Sequence, residues 1–206
     1  MHSITIINYG MGNLWSVKTA IEYLGFKTNI TSSAIEIANS DVLILPGVGS
    51  LKLAMNKINA LNLDKAILEA VKVKQKKILG ICLGIQLMSQ SGTEDGYSKG
   101  LSLINVNTKK FDNNKISKFK IPHIGFNSVF KPTNSILYSG LEDDTDFYFV
   151  HSYYLPIKEL NANIGICNYI HNFMASYEKE NIFATQFHPE KSQTNGLKLL
   201  QNFLKF

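Results

Sequence analysis

The residues able to do covalent chemistry fall in three short stretches. Gly80-Ile81-Cys82-Leu83-Gly84 sets a cysteine between glycines at minus two and plus two, where a strand-like run gives way to a helical one. Small residues at those places let the chain turn sharply, exposing the middle side chain at the C-terminal edge of a sheet. A thiol at a helix N-terminus gains thiolate character from the unpaired N–H groups and the helix dipole. Alone, the same pattern also describes a small buried cysteine in a tight turn. Phe187-His188-Pro189-Glu190 offers what such a thiol would need. A cysteine nucleophile requires a base to take and return protons, and the base requires an acceptor that fixes its tautomer. Pro189 biases His188 toward an extended backbone, and Glu190, two places on, can turn back to the imidazole. We therefore expect a Cys82–His188–Glu190 triad. Pro46-Gly47-Val48-Gly49 follows another strand-like run, and its glycines let backbone N–H groups turn toward an oxyanion, as acyl transfer demands. Gln86, one helical turn past Cys82, is placed to line the same pocket.

Other residues offer less. His123, His151 and Cys167 have no visible partner set and read as structural. The five histidines are scattered without His-x3-His or Cys-x2-Cys spacing, so no metal is expected. Gly10 and Gly12 begin a dinucleotide-type loop, but Trp15 occupies the third glycine position and the fingerprint fails. No cofactor is expected.

Elements must carry these stretches to one edge. Strand-like runs at 3–8, 26–31, 41–45 and 77–81 alternate with helical patterns at 14–24, 51–60, 64–75 and 83–89. Asn13 is placed to cap the first helix and Gly25 to stop it. This alternation indicates an α/β fold with a mostly parallel central sheet flanked by helices. Later runs at 102–111, 124–130, 146–155, 164–169, 175–178 and 182–187 read as strands joined by tight turns, with Glu180-Asn181 at one hairpin tip. They predict an antiparallel extension in the second half. A closing amphipathic helix at 196–206 turns Leu197, Leu200, Phe203 and Leu204 inward. No linker or repeat divides the chain, so one domain over 1–206 is expected.

Composition excludes several classes. A chain of 206 residues, 45% hydrophobic, can bury about 70% of its unfolded surface without disulfide or metal staples. Its longest apolar runs, such as Val42-Leu43-Ile44-Leu45, fall far short of the roughly 20 residues a membrane span requires. The first residues lack a basic segment and a cleavage site, and the two cysteines need no bridge; a cytoplasmic location is expected. The net charge is +5, yet all 21 basic residues are lysine. Without arginine's bidentate fork, and with lysines spread out, nucleic acid is not an expected partner. Twenty asparagines beside them point to compositional bias rather than a binding face.

GICLGIQLM, PGVG and HPE together resemble a class I glutamine amidotransferase domain. Asn8-Tyr9-Gly10-Met11-Gly12-Asn13-Leu14, Ile121-Pro122-His123-Ile124-Gly125-Phe126-Asn127 and Tyr148-Phe149-Val150-His151-Ser152-Tyr153 narrow this to the HisH-type glutaminase subunits of imidazole glycerol phosphate synthase. The resemblance runs nearly end to end. It implies that Cys82 attacks the carboxamide of glutamine, His188 passes the proton to leaving ammonia and Glu190 orients His188. Water then releases glutamate from a γ-glutamyl thioester. It further implies an oxyanion hole from the Leu83 N–H and the Gly47–Val48–Gly49 turn. Glutamine would be bound by Gly49 and Gln86, with 139–141 on looser grounds. Ammonia would pass to a (β/α)8 cyclase subunit of the HisF type in a heterodimer. The docking face would hold Asn8, Met11, Asn13, Phe126, Asn127 and Lys191. The family usually has tryptophan at Phe126 and a proline–glycine turn where this chain has Asn105-Val106. A relative supplying ammonia for amidination of a surface-glycan sugar, a non-catalytic binding subunit and a stand-alone cysteine hydrolase are the alternatives.

Overall fold

The computed structural model describes residues 3–112 and 119–206. Four strands open the chain: β1 (Ile4–Ile7), β2 (Thr28–Thr31), β3 (Val42–Gly47) and β4 (Lys77–Cys82). Between them run α1 (Leu14–Tyr23), α2 (Ala34–Asn39), α3 (Leu51–Ala60) and α4 (Leu63–Leu68), the last continuing as a π-helical turn over Glu69–Val73. After α5 (Leu83–Leu87) come the short pairs β5 (Ser91–Gly92) with β6 (Ser98–Lys99), and β7 (Lys109–Lys110) with β10 (Tyr153–Tyr154). β8 (His123–Val129) and β9 (Thr145–His151) form an antiparallel ribbon. β11 (Asn163–Asn168), β12 (Asn172–Lys179), β13 (Ile182–Thr185) and α6 (Gln193–Lys205) complete the chain.

The main sheet has seven strands in the order β11-β12-β13-β4-β3-β1-β2. β13, β4, β3, β1 and β2 are mutually parallel, while β11 and β12 extend the sheet antiparallel. Alternate side chains of the central strands divide between two apolar layers. Ile4, Ile6, Val42, Ile44, Leu79 and Ile81 pack with α1 and α6, and Ile7, Leu43, Leu45 and Ile78 pack with α2, α3 and α4. Each of these aliphatics, buried on a two-sided sheet, contributes about 1.5–3 kcal/mol over the exposed state. The order reverses between β1 and β3, and a crevice beyond the strands' C-terminal ends at such a reversal is where open α/β sheets place their ligands.

The strand expected over 102–111 is the main correction. Only Lys109–Lys110 pair as a strand. Ser102 is left-handed (φ 52°), and the N–H groups of Leu101 and Ser102 donate to Leu87 and Ser89, those of Leu103 and Ile104 to Met88. The segment wraps the end of α5, so its apolar residues are buried by a loop rather than by a sheet. The run 146–155 is broken at Ser152, between β9 and β10. The hairpin tip stands as expected: Glu180 is left-handed (φ 54°) between β12 and β13.

Candidate active site

Cys82 ends β4 opposite Gly47 at the end of β3. Its backbone is left-handed, φ 54° and ψ −104°, a conformation that costs a non-glycine residue about 1–3 kcal/mol and persists only where surroundings enforce it. The flanking glycines show how they do so. A Cβ on Gly84 would lie 2.0 Å from the Leu45 carbonyl oxygen, and one on Gly80 would lie 2.8 Å from the carbonyl carbon of Gly84. α5 thus presses directly on β3, and the chain turns on Cys82. The thiol is largely buried, 3.8 Å from the Val150 carbonyl oxygen and 4.0 Å from Nε2 of Gln186.

His188 follows β13, which lies beside β4 in register Thr185↔Ile81. Its N–H donates to the Tyr148 carbonyl at 2.9 Å, and the Ser192 hydroxyl donates to its carbonyl at 2.6 Å. Pro189 starts a 3-10 turn that brings the Glu190 carboxylate to 2.8 Å from His188 Nδ1. Both side chains are almost fully buried. Burial lowers the affinity of the imidazole for a proton, but Cys82 and Glu190 outweigh it and hold the His188 pKa up at about 10. His188 Nε2 makes no hydrogen bond in this resting geometry, so that nitrogen is left for a reacting group.

Cys82 and His188 open into one pocket of about 430 Å³, lined also by Val48, Gly49, Leu83 and Gln86. Gly49 is left-handed (φ 95°), and a Cβ there would meet the Met11 methyl at 2.8 Å. Gly47 lies outside the lining, packed against the Tyr9 hydroxyl, which donates to the Pro46 carbonyl at 2.9 Å. Burial raises the Tyr9 pKa and Cys82 adds to it, so this hydroxyl keeps its proton. Gln86 is buried, donating from Nε2 to the Tyr153 carbonyl at 2.9 Å and to Gln186 Oε1 at 3.3 Å.

The pocket also holds residues the sequence did not assign to it: Glu94, Asp95, Ser152 and Tyr153. Glu94 accepts from the Leu51 N–H at 3.4 Å, and burial raises its pKa. Ser152 and Tyr153 lay within a recognised motif, whereas Glu94-Asp95 is an acidic turn with no signal of its own. Residue Ser139 stands elsewhere, in a depression with Asn134 and Asn202. His123 and His151 are not partnerless: their rings meet at 3.1 Å. The residues expected at a docking face fall into two groups. Asn8 accepts from the Gly10 N–H and Asn13 from the Ser16 N–H, so both shape the loop that carries Met11 against Gly49. Phe126 is half-exposed and packs edge-on against Tyr148, whose ring also lies under the Lys191 ammonium. Asn127 holds the Asn168 carbonyl. Cys167 is fully buried, and burial, with Asp146, pushes its thiol up to about 12.

Among the described residues, no three His, Cys, Asp or Glu side chains are grouped to hold a metal ion, and no helix is long and apolar enough to cross a membrane. The model of the family "Glutamine amidotransferase class-I" matches residues 5–206. The chain is 44% identical over 207 residues to "Imidazole glycerol phosphate synthase subunit HisH 1" of Parasynechococcus marenigrum, covering 100% of this chain and 99% of that protein. A protein of the same name from Campylobacter jejuni is 44% identical over 202 residues, covering 98% and 99%. A solved structure described as a glutamine amidotransferase superposes with TM-score 0.76 at 13% identity, covering 98% of this chain and 97% of that one, a likeness of fold.

Proposed function

This chain belongs to the class-I glutamine amidotransferases, and from that membership we propose that it is the glutamine-hydrolysing subunit of an imidazole glycerol phosphate synthase. The observation that carries the chemistry is the meeting, in one pocket, of a cysteine on a strained elbow and a histidine whose far nitrogen is held by a buried glutamate. Cys82 gives its proton to His188, and the resulting thiolate attacks the side-chain carbonyl carbon of glutamine. The oxyanion forms beside the N–H of Leu83 and the Val48–Gly49 turn, with Gly47 setting the turn's position. His188 delivers its proton to the amide nitrogen as ammonia leaves, and a γ-glutamyl thioester remains. His188 then takes a proton from water, which attacks the thioester and releases glutamate and the thiol. Glu94 and Asp95 supply negative charge for the α-ammonium of glutamine, and Gly49 and Gln86 contact the remainder.

Ammonia passes to a (β/α)8 cyclase subunit docked on Met11, Phe126 and Lys191 with the Asn8–Asn13 loop. The names of the relatives and the clustering of Phe126, Tyr148 and Lys191 support this assignment. The test is glutamate release by the protein alone, then mixed with the cyclase of the same genome and its phosphorylated ribulose-formimino substrate. Slow release alone and strong stimulation by the mixture are expected. Release without stimulation overturns the partner and leaves the glutaminase; no release in either overturns both.

A further inference from the structure

From His151 in the pocket wall runs a buried polar chain whose proton positions follow from its hydrogen-bond partners. His151 Nδ1 lies 2.9 Å from the Tyr153 carbonyl, which can only accept, so Nδ1 carries the hydrogen. In a neutral ring Nε2 is then an acceptor. It faces His123 Nδ1 at 3.1 Å, so that nitrogen carries a hydrogen in turn. His123 Nε2 is left as acceptor, and it faces the Asn127 amide nitrogen at 3.4 Å. The Asn127 amide is fixed independently: its oxygen accepts from the Ser128 N–H, and its nitrogen donates to the Asn168 carbonyl. One assignment satisfies every link. Both imidazoles are nearly inaccessible, at 2% and 6% exposure, and burial holds the His123 pKa down near 4 and the His151 pKa near 3.

The other end of the chain reaches the pocket. The Tyr153 carbonyl that accepts from His151 Nδ1 also accepts from one N–H of Gln86, and the second N–H of Gln86 donates to Gln186 Oε1. With both donors used, the oxygen is what Gln86 has left for a ligand.

We propose that His123 and His151 are positioning residues for the hydrolysis of glutamine. As a one-directional chain they fix the Tyr153 carbonyl, and through it turn the Gln86 carboxamide so that its oxygen receives an N–H of the substrate. This rests on the glutaminase reading above and adds to it two residues that act through Gln86.

The experiment compares two reagents at Cys82: diazo-oxonorleucine, a diazoketone analogue of glutamine, and iodoacetamide, which needs no glutamine pocket. His151→Phe keeps the ring's volume and removes both nitrogens; His151→Asn restores an N–H near the Nδ1 position. We expect His151→Phe to slow diazoketone labelling about five- to tenfold, the worth of one neutral hydrogen bond. Iodoacetamide labelling should be unchanged, and His151→Asn should recover most of the lost rate. Equal slowing with both reagents, no slowing with either, or no recovery in His151→Asn overturns the proposal. If His151→Phe does not fold, His123→Phe, which removes the donor to His151, is read on the same two reagents. Failure of the diazoketone to label the unaltered protein, with iodoacetamide still reacting, would instead bring down the glutaminase reading itself.

Discussion

Gly47→Ala should destabilise the protein through a single identifiable collision, with Tyr9. The backbone of Gly47 is not left-handed, so the demand for glycine there is one of space. A Cβ would stand 2.1 Å from the Tyr9 hydroxyl oxygen, 3.0 Å from Leu83 Cβ and 3.2 Å from Leu83 Cδ2. Tyr9 cannot yield freely, being 1% exposed and bonded to the Pro46 carbonyl at 2.9 Å. Overpacking costs about 1–3 kcal/mol, and displacing the hydroxyl costs about 1–3 kcal/mol more. In a chain of this length, each kcal/mol lowers Tm by about 2–4 °C, so a fall of roughly 4–24 °C is expected. Tyr9→Phe alone should cost about 1–2 kcal/mol, because the Pro46 carbonyl loses its donor. It also removes the oxygen that the methyl group added at position 47 strikes. The double variant should therefore be more stable than the summed single losses predict by about 1 kcal/mol or more, as contacting residues couple. Urea denaturation of the four proteins measures this. Additivity within about 0.5 kcal/mol, or a Gly47→Ala protein as stable as the parent, would refute the reasoning.

Gly84→Ala should be harsher than Gly47→Ala, since its Cβ meets the Leu45 backbone oxygen at 2.0 Å and neither partner can rotate away; a smaller Tm loss would contradict this packing. Glu190→Gln keeps shape but loses the charge beside His188 Nδ1, and should cut glutamine turnover by about two to four orders of magnitude; unchanged turnover would remove Glu190 from the proposed triad. Stability should fall on both sides of neutrality. Below about pH 6.5, the unfolded chain takes protons that His123 and His151 refuse when folded. Above it, toward about pH 10, the folded chain keeps on His188 a proton that the unfolded chain releases. Unfolding free energies from urea titrations across pH should show His123→Phe flattening the acid limb, and a slope unchanged by that substitution would refute the assignment.

The parallel half was legible because short unbroken apolar runs and helical spacing alternate there with clear punctuation, as at Asn13, Gly25 and Gly49. α2 was not, being six residues with one fully buried side chain, Ile37. The pattern over 64–75 read as one helix, whereas the chain leaves α-helical geometry at Glu69 for a π turn; apolar spacing does not register that change. The 102–111 segment carries a strand's apolar content but buries it against the end of α5, a tertiary choice that no local pattern announces. In the candidate site, Cys82, His188 and Glu190 were visible because each sits in a motif with its own backbone logic. The two histidines were not: His123 and His151 become partners only through the β8–β9 register, which sets them directly opposite each other.

The strand order also dictates when the pocket can exist. β4 is paired on one side by β3, made earlier, and on the other by β13, made about a hundred residues later. Until β13 emerges from the ribosome, the strand ending in Cys82 is an open edge, a liability that a nascent chain must carry or shield. Asn181, at the tip of the incoming hairpin, donates to the Val71 and Lys76 carbonyls and so anchors the insertion against residues already in place. The residue proposed as base follows this strand by three positions. A polypeptide halted before β13 therefore holds Cys82 without its proposed base, and on that proposal the capacity to release ammonia arrives only once β13 and His188 have been made.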